Sequence, residues 1–266
     1  MQNKICLCLL TTSLCKEVLE RFDYIRRGVD YMDFYILCDS SNCSDVVEGR
    51  EDIIKFDGCE LWSHYNSFDR RKPYVGNAQF VLVEFSKTHD YDYYWLCEDD
   101  IFMPNGSYVD FFNKCKEIEC DLLLTSRTVD IKKDIIEKNN TWYWYRFIRR
   151  KEKYLFHTWV QFFRLSKKGV DAILKDFNSF DRAHTESAIP SIIYNNGLRI
   201  NYMFAETDYK FVIDWRKLKS IDNEMNTFYH PMKIANKNQQ SLSSQDTCQV
   251  RSYRRSRNRI QGHHFC

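Results

Sequence analysis

Three consecutive carboxylates, Glu98-Asp99-Asp100, stand where charge is unfavourable. The aromatic run Tyr93-Tyr94-Trp95-Leu96-Cys97 leads into them, and Ile101-Phe102-Met103-Pro104 follows. Ionised groups squeezed between apolar residues need a partner. A hard divalent cation is a good one. Mg²⁺ or Mn²⁺ takes one or two carboxylates and fills the rest of its shell with water and substrate phosphate oxygens. A solvated acidic turn is the plainer alternative, since such turns are common. The cation is favoured by the setting, an apolar strand that delivers the acids to a ligand-binding edge.

That edge follows from the elements around it. Lys4 to Leu10 reads as a short buried strand, and Thr11-Thr12-Ser13 can cap the next helix. Leu14, Val18, Leu19, Phe22 and Ile25 recur at helical spacing, and Gly28 ends that helix. Tyr31 to Cys38 is a second strand closing on Asp39, and Asp52 to Phe56 a third. Gly76-Asn77 opens a second helix with Ala78, Val81, Leu82 and Phe85 on its apolar face. Tyr93 to Cys97 is a central strand, Ser107 caps a third helix, and Asp121 to Thr125 is another strand. Strand alternating with helix predicts an α/β fold with a mostly parallel sheet flanked by helices. Ligands of such sheets bind outside the carboxyl ends of the strands. Thr11, Thr12, Asp39 and the acidic triplet all fall at predicted carboxyl ends, so they converge on one crevice.

The second half is less regular. Thr141 to Tyr145 and Trp159 to Leu165 read as strands. Ser166 caps a helix with Val170, Ile173, Leu174 and Phe177 facing inward. A short helix from about Ser187 to Tyr194 carries Pro190 near its first turn, and Asn195-Asn196-Gly197 stops it. From Asn236 onward Asn, Gln, Ser and Arg dominate and periodicity vanishes, which predicts a flexible tail.

The run Tyr94-Trp95-Leu96-Cys97-Glu98-Asp99-Asp100-Ile101 resembles the D-x-D region of metal-dependent glycosyltransferases of the GT-A type. In that family a hydrophobic strand delivers an acidic triplet to a nucleotide-sugar donor. The resemblance implies that Asp100 ligates the metal, that Glu98 faces the metal or the ribose, and that Asp99 lies beside the nucleotide. The departure is Glu98, which replaces the family's first Asp with a longer arm.

Phe228-Tyr229-His230-Pro231-Met232-Lys233 resembles the segment in which many of these enzymes return a histidine to the metal. The resemblance implies that a neutral His230 completes the shell and that Lys233 reaches the diphosphate. A lone histidine is about as often a satisfied core or surface group. Inverting members place a carboxylate near the acceptor hydroxyl, at the start of a helix. His184-Thr185-Glu186-Ser187 opens such a helix here, so Glu186 is the candidate base and Asp181 its substitute. An acid at that position is also what a helix dipole favours. Thr11, Thr12 and Asp39 take the positions that meet the nucleotide in this family. Asn77 and one of Arg70, Arg71 and Lys72 are further candidates. Trp142, Trp144 and Trp159 offer stacking faces for an acceptor sugar and serve equally well as core.

The resemblance spans residues 4–233 in element order. It implies a GT-A (Rossmann-like) catalytic domain over residues 1–235. Residues 1–125 form its nucleotide-sugar-binding half, residues 126–235 a mixed acceptor-binding half, and residues 236–266 an Arg-rich tail. The implied reaction moves a sugar from a nucleotide-diphosphate donor, a UDP-sugar favoured, to a glycan or lipid-linked acceptor with inversion. Surface-polysaccharide biosynthesis is the implied setting.

A formal net charge of +2 over 266 residues gives the bulk of the chain no reason to seek a polyanion, so nucleic acid is not expected. The tail differs, with Arg251, Arg254, Arg255, Arg257 and Arg259 and no acid among them. It suits peripheral contact with anionic lipid head groups. The 11 cysteines are odd in number, include no C-x-x-C pair, and several sit in apolar runs. They read as reduced, buried thiols, not as disulfides or a zinc site. Ile5 to Leu10 is too short an apolar run to cross a membrane or to act as a secretory signal. Together these features predict a cytoplasmic protein, at the inner face of the membrane if the tail engages lipid.

Two rivals remain. A nucleotidyltransferase making nucleotide sugars usually carries a Gly-rich phosphate loop near its N-terminus, and Cys8 to Leu14 has no glycine. A non-catalytic binding module would grip phosphates through the arginines of the tail.

Overall fold

A strand covered on both faces must be apolar along its whole length. Ile5–Thr11 (β1) meets that demand, with every residue buried except the half-buried Leu10. Ile5, Leu7 and Leu9 enter one core cluster, Cys6 and Cys8 the other. Asp33–Asp39 (β2), Ile53–Phe56 (β3) and Tyr93–Glu98 (β4) extend the sheet in parallel: β1 pairs with β2 and β4, and β2 pairs with β3. In β4 the alternation repeats, Trp95 and Cys97 on one face, Tyr94 and Leu96 on the other.

The computed structural model describes residues 3–40, 43, 47–58, 60–61, 78–130, 155–176, 184–213 and 224–232. Backbone contacts divide the chain into Met1–Ile234 and Ala235–Cys266, and the second unit lies outside the described residues. The strand predicted over Thr141 to Tyr145 also lies outside them.

Leu122–Leu124 (β5) does not reach β4 directly. Two short ribbons stand apart from the main sheet: Val129–Asp130 (β6) against Phe156–His157 (β7), and further on Lys210–Ile213 (β10) alongside Thr227–His230 (β11). Phe162–Ser166 (β8) runs antiparallel between β4 and β5, and Ile200–Tyr202 (β9) closes the edge parallel to β5. The order is β3-β2-β1-β4-β8-β5-β9. Only β8 runs against the rest, so the α/β class and the mostly parallel sheet expected from the sequence are both present.

Helices cover both faces. Lys16–Arg26 (α1) and Tyr108–Lys116 (α3) pack on the Trp95 side, burying Val18, Phe22 and Ile25, and Tyr108, Phe111, Phe112 and Cys115. Val81–Ser86 (α2), Lys167–Asp176 (α4) and Thr185–Asn195 (α5) pack on the Tyr94 side. Gly28, at φ +78°, ends the first helical segment in a conformation that disfavours any side chain. The two predicted serine caps are present: Ser107 Oγ accepts from Asp110 N at 3.1 Å and Ser166 Oγ from Gly169 N at 3.1 Å. Each is worth about 1 kcal/mol.

Three expectations need correction. Leu174 does not face inward but is 39% exposed, because Gly169, Val170, Ala172 and Ile173 already supply the inward face of α4. The strand expected from Trp159 begins only at Phe162. The helix expected from Ser187 begins at Thr185 with His184 as its cap, which places Pro190 inside it. Proline lacks the N–H that would bond the carbonyl four residues back. That carbonyl is Glu186 O, and Thr158 N donates to it at 3.0 Å.

The eight cysteines among the described residues carry free thiols, and all but Cys15 are buried. Among the described residues, no helix is long and apolar enough to cross a membrane.

Candidate active site

The chain lays β2 and β3 on one side of β1 and then places β4 on the other. Strand order therefore reverses between β1 and β4, and the crevice outside their carboxyl ends is where such sheets bind ligands. Thr11 and Glu98-Asp99-Asp100 stand at that point. Asp99 N donates to Leu10 O at 3.0 Å, and Thr11 Oγ1 donates to Asp99 Oδ2 at 2.6 Å. The middle acid is thus turned back onto β1.

Its two neighbours meet a histidine from far along the chain. After the acids, Phe102 and Tyr229 exchange backbone hydrogen bonds of 3.3 and 3.0 Å, and Met232 N donates to Asp100 O at 2.6 Å. Arg21 Nη1 donates to the carbonyls of Asp99 (3.1 Å) and Met232 (2.9 Å), clamping the two segments together. This stitching delivers His230, 3% exposed, to the acids. Its Nε2 lies 3.4 Å from Asp100 Oδ1 and 3.6 Å from Glu98 Oε2.

One ligand atom from each of Glu98, Asp100 and His230 lies within 4.8 Å of the others. Asp100 Oδ1 is buried and makes no hydrogen bond beyond the 3.4 Å ion-pair approach of His230 Nε2. Two carboxylates and an imidazole that converge in this way fit a divalent cation. Burial alone would lower the pKa of His230, but the carboxylates of Asp100 and Glu98 outweigh it and push it up to about 9. Burial raises the pKa of Glu98, and the nearby imidazole of His230 opposes that rise. Without a cation, a protonated His230 is the countercharge of the cluster. With one, a neutral imidazole serves as ligand.

A third carboxylate stands at the start of α5. Glu186 is 7% exposed. Its backbone N donates to His184 Nδ1 at 3.2 Å, and burial lowers the pKa of His184 to about 4, which keeps that nitrogen an acceptor. Gln161 Nε2 donates to Glu186 Oε1 at 2.9 Å. Burial pushes Glu186 up to about 7; the Gln161 bond holds it down, and the Glu98 charge adds to the rise. Such a carboxyl exchanges a proton near neutral pH, as a general base must. A hydrogen-bonded path also joins its helix to the acids: Thr185 Oγ1 donates to Gln79 Oε1 at 2.8 Å, and Gln79 Nε2 to Glu98 Oε1 at 2.7 Å.

The other predicted residues take varied places. Asp39, at the end of β2, is 5% exposed, and its Oδ1 accepts from Gly58 N at 3.0 Å. A Cβ at Gly58 would come 2.5 Å from Asp39 Oδ2, so this close approach requires glycine. Thr11 is 2% exposed, whereas Thr12 is exposed beside it. Trp159 is half-buried. Asn77, Lys233, Asp181, Arg70, Arg71, Lys72, Trp142, Trp144 and the Arg-rich tail lie outside the described residues.

The structure thus brings Glu98 and Asp100 to His230, ties Asp99 to Thr11, and links Glu186 to the acids through Gln161 and Gln79. Sequence reasoning missed both glutamines. A single buried glutamine has no pattern of its own, and only its partners mark it.

No family model matches the sequence, and no curated protein matches it. Among solved structures, the chain is similar to the galactosyltransferase LgtC in complex with donor and acceptor sugar analogues. The two are 10% identical, the match covers 87% of this chain and 88% of that one, and the TM-score is 0.46. A likeness at this level assigns neither a family nor an activity to this chain.

Proposed function

We propose that this chain is a metal-dependent glycosyltransferase of the GT-A type. The observation that carries the reading is the meeting of Glu98, Asp100 and His230 at the edge where strand order reverses. A divalent cation bound there, Mn²⁺ or Mg²⁺, supplies Lewis-acid stabilisation of charge on a leaving nucleoside diphosphate. Asp100 and His230 hold it directly, and Glu98 turns Oε2 towards it. Thr11 and Asp99 brace this edge through their mutual hydrogen bond. Thr12, Asp39 and Asn77 flank the nucleotide of a UDP-sugar, and Lys233 offers its charge to the diphosphate.

Glu186 is the base. It takes the proton of an acceptor hydroxyl as that oxygen attacks the anomeric carbon, a contribution of roughly two to four orders of magnitude in rate. Attack opposite the leaving diphosphate inverts the anomeric centre. The acceptor is a glycan or lipid-linked glycan of the kind used to build surface polysaccharide.

The test is release of nucleoside diphosphate from a panel of nucleotide sugars, with and without Mn²⁺ and with simple glycosides as acceptors. Metal-dependent release from one nucleotide class is expected. Failure of every nucleotide sugar to bind or react in the presence of Mn²⁺ would overturn the reading.

A further inference from the structure

Gln79 touches both elements that carry the candidate chemistry. Its side chain is 6% exposed, just ahead of α2. Nε2 donates to Glu98 Oε1 at 2.7 Å, and Oε1 accepts from Thr185 Oγ1 at 2.8 Å. The chemistry of the partners fixes the amide's orientation. An ionised carboxylate only accepts, so it faces the NH₂ group, and the threonine hydroxyl can donate to the carbonyl. Thr185 is the first residue of α5, 0% exposed, and Glu186 follows it.

Glu98 therefore has one oxygen committed to Gln79. The other, Oε2, is the one 3.6 Å from His230 Nε2. A glutamate has one more rotatable bond than an aspartate, hence more freedom to lose before it can serve as a ligand. Its side chain is 25% exposed, so packing alone does not confine it. A buried amide donor at Oε1 supplies that confinement.

We infer that Gln79 is the positioning residue that makes Glu98 a metal ligand. It holds the carboxylate so that Oε2 faces the cation. Through Thr185 it also ties the cation site to the helix that bears Glu186. The inference rests on the metal-site reading given under Proposed function. Outer partners that orient metal ligands typically change metal affinity by about 10- to 100-fold.

The test is Mn²⁺ binding to the full chain, followed by the loss of the free-ion electron paramagnetic resonance signal. Thermal unfolding without metal is recorded beside it. The proteins are the wild type, Asp100→Ala, Gln79→Met and Thr185→Val. Gln79→Met keeps length and volume but cannot donate. It is expected to weaken Mn²⁺ binding about tenfold or more, and Thr185→Val, which frees only the far end of the amide, about threefold. Asp100→Ala is expected to lose binding.

A merely structural Gln79 would lower the metal-free unfolding midpoint and leave Mn²⁺ affinity of the folded protein unchanged. That result, with Asp100→Ala still defective, overturns the positioning role and leaves the metal site standing. A wild type that binds no Mn²⁺ overturns both. If Gln79→Met does not fold, Thr185→Val decides: unchanged affinity there overturns the inference.

Discussion

Gln161 donates its side-chain Nε2 to Glu186 Oε1 at 2.9 Å, and its carbonyl accepts the backbone N–H of Glu98 at 3.0 Å. One residue thus spaces Glu186 from Glu98. The arrangement depends on β8 being antiparallel, because that direction brings Gln161, just before the strand, to the carboxyl end of β4.

If Glu186 is the base, Glu186→Gln removes proton transfer and keeps shape. Turnover should fall by about two orders of magnitude or more, while donor affinity stays within about threefold. Calorimetric donor binding beside steady-state kinetics separates the two. Wild-type turnover would remove Glu186 from the mechanism.

The pH profile carries a second prediction. The base works ionised, so kcat/KM should rise with pH and level off above about 7, the value to which Glu186 is pushed. A cation at Glu98 offsets that residue's charge and draws the limb somewhat lower. Gln161 donates to the ionised form, so Gln161→Leu should move the acid limb to higher pH by about one unit. An unmoved limb contradicts the assigned hydrogen bond.

The acidic triplet was legible in the sequence because an apolar strand ending in charges is a local pattern. So were Ser107 and Ser166, whose hydroxyls cap helices from fixed positions. The antiparallel course of β8 was not legible, since an apolar run such as Phe162-Phe163-Arg164-Leu165 does not encode direction. The start of α5 was legible in the segment His184-Thr185-Glu186-Ser187 but not in the apolar periodicity, and its cap is an imidazole, an uncommon acceptor that works here only because burial keeps His184 neutral. β9, β10 and β11 span three or four residues each, too short for periodicity to declare them. That His230 meets Asp100 follows from the pairing of Phe102 with Tyr229, a contact between residues far apart in sequence.

If His230 is a ligand, metal binding depends on pH with a definite sign. In the metal-free protein its pKa is pushed up to about 9, so it is protonated at neutral pH and must lose that proton to ligate. Mn²⁺ affinity should therefore rise close to tenfold per pH unit between about pH 6.5 and 8, and His230→Gln should flatten most of that slope. An equal slope in the variant would exclude the histidine from the shell.

Thr11→Val tests the brace at the sheet edge. It removes the donor to Asp99 Oδ2 and leaves a carboxylate oxygen beside a methyl group. A loss of about 1–3 kcal/mol in urea unfolding is expected. Unchanged stability would show that water replaces the hydroxyl there.

The central claim is that Asp100 belongs to a metal site that receives a nucleotide-sugar diphosphate. Thermal unfolding of wild type and Asp100→Ala, with Mn²⁺ alone and with Mn²⁺ plus UDP, tests it most directly. A ligand at about a hundred times its Kd stabilises by about 2.7 kcal/mol, a rise of several degrees for a domain of this size. The wild type should rise with Mn²⁺ and further with UDP, while Asp100→Ala, folded to a similar midpoint without metal, should respond to neither. Equal stabilisation of both proteins would contradict the account.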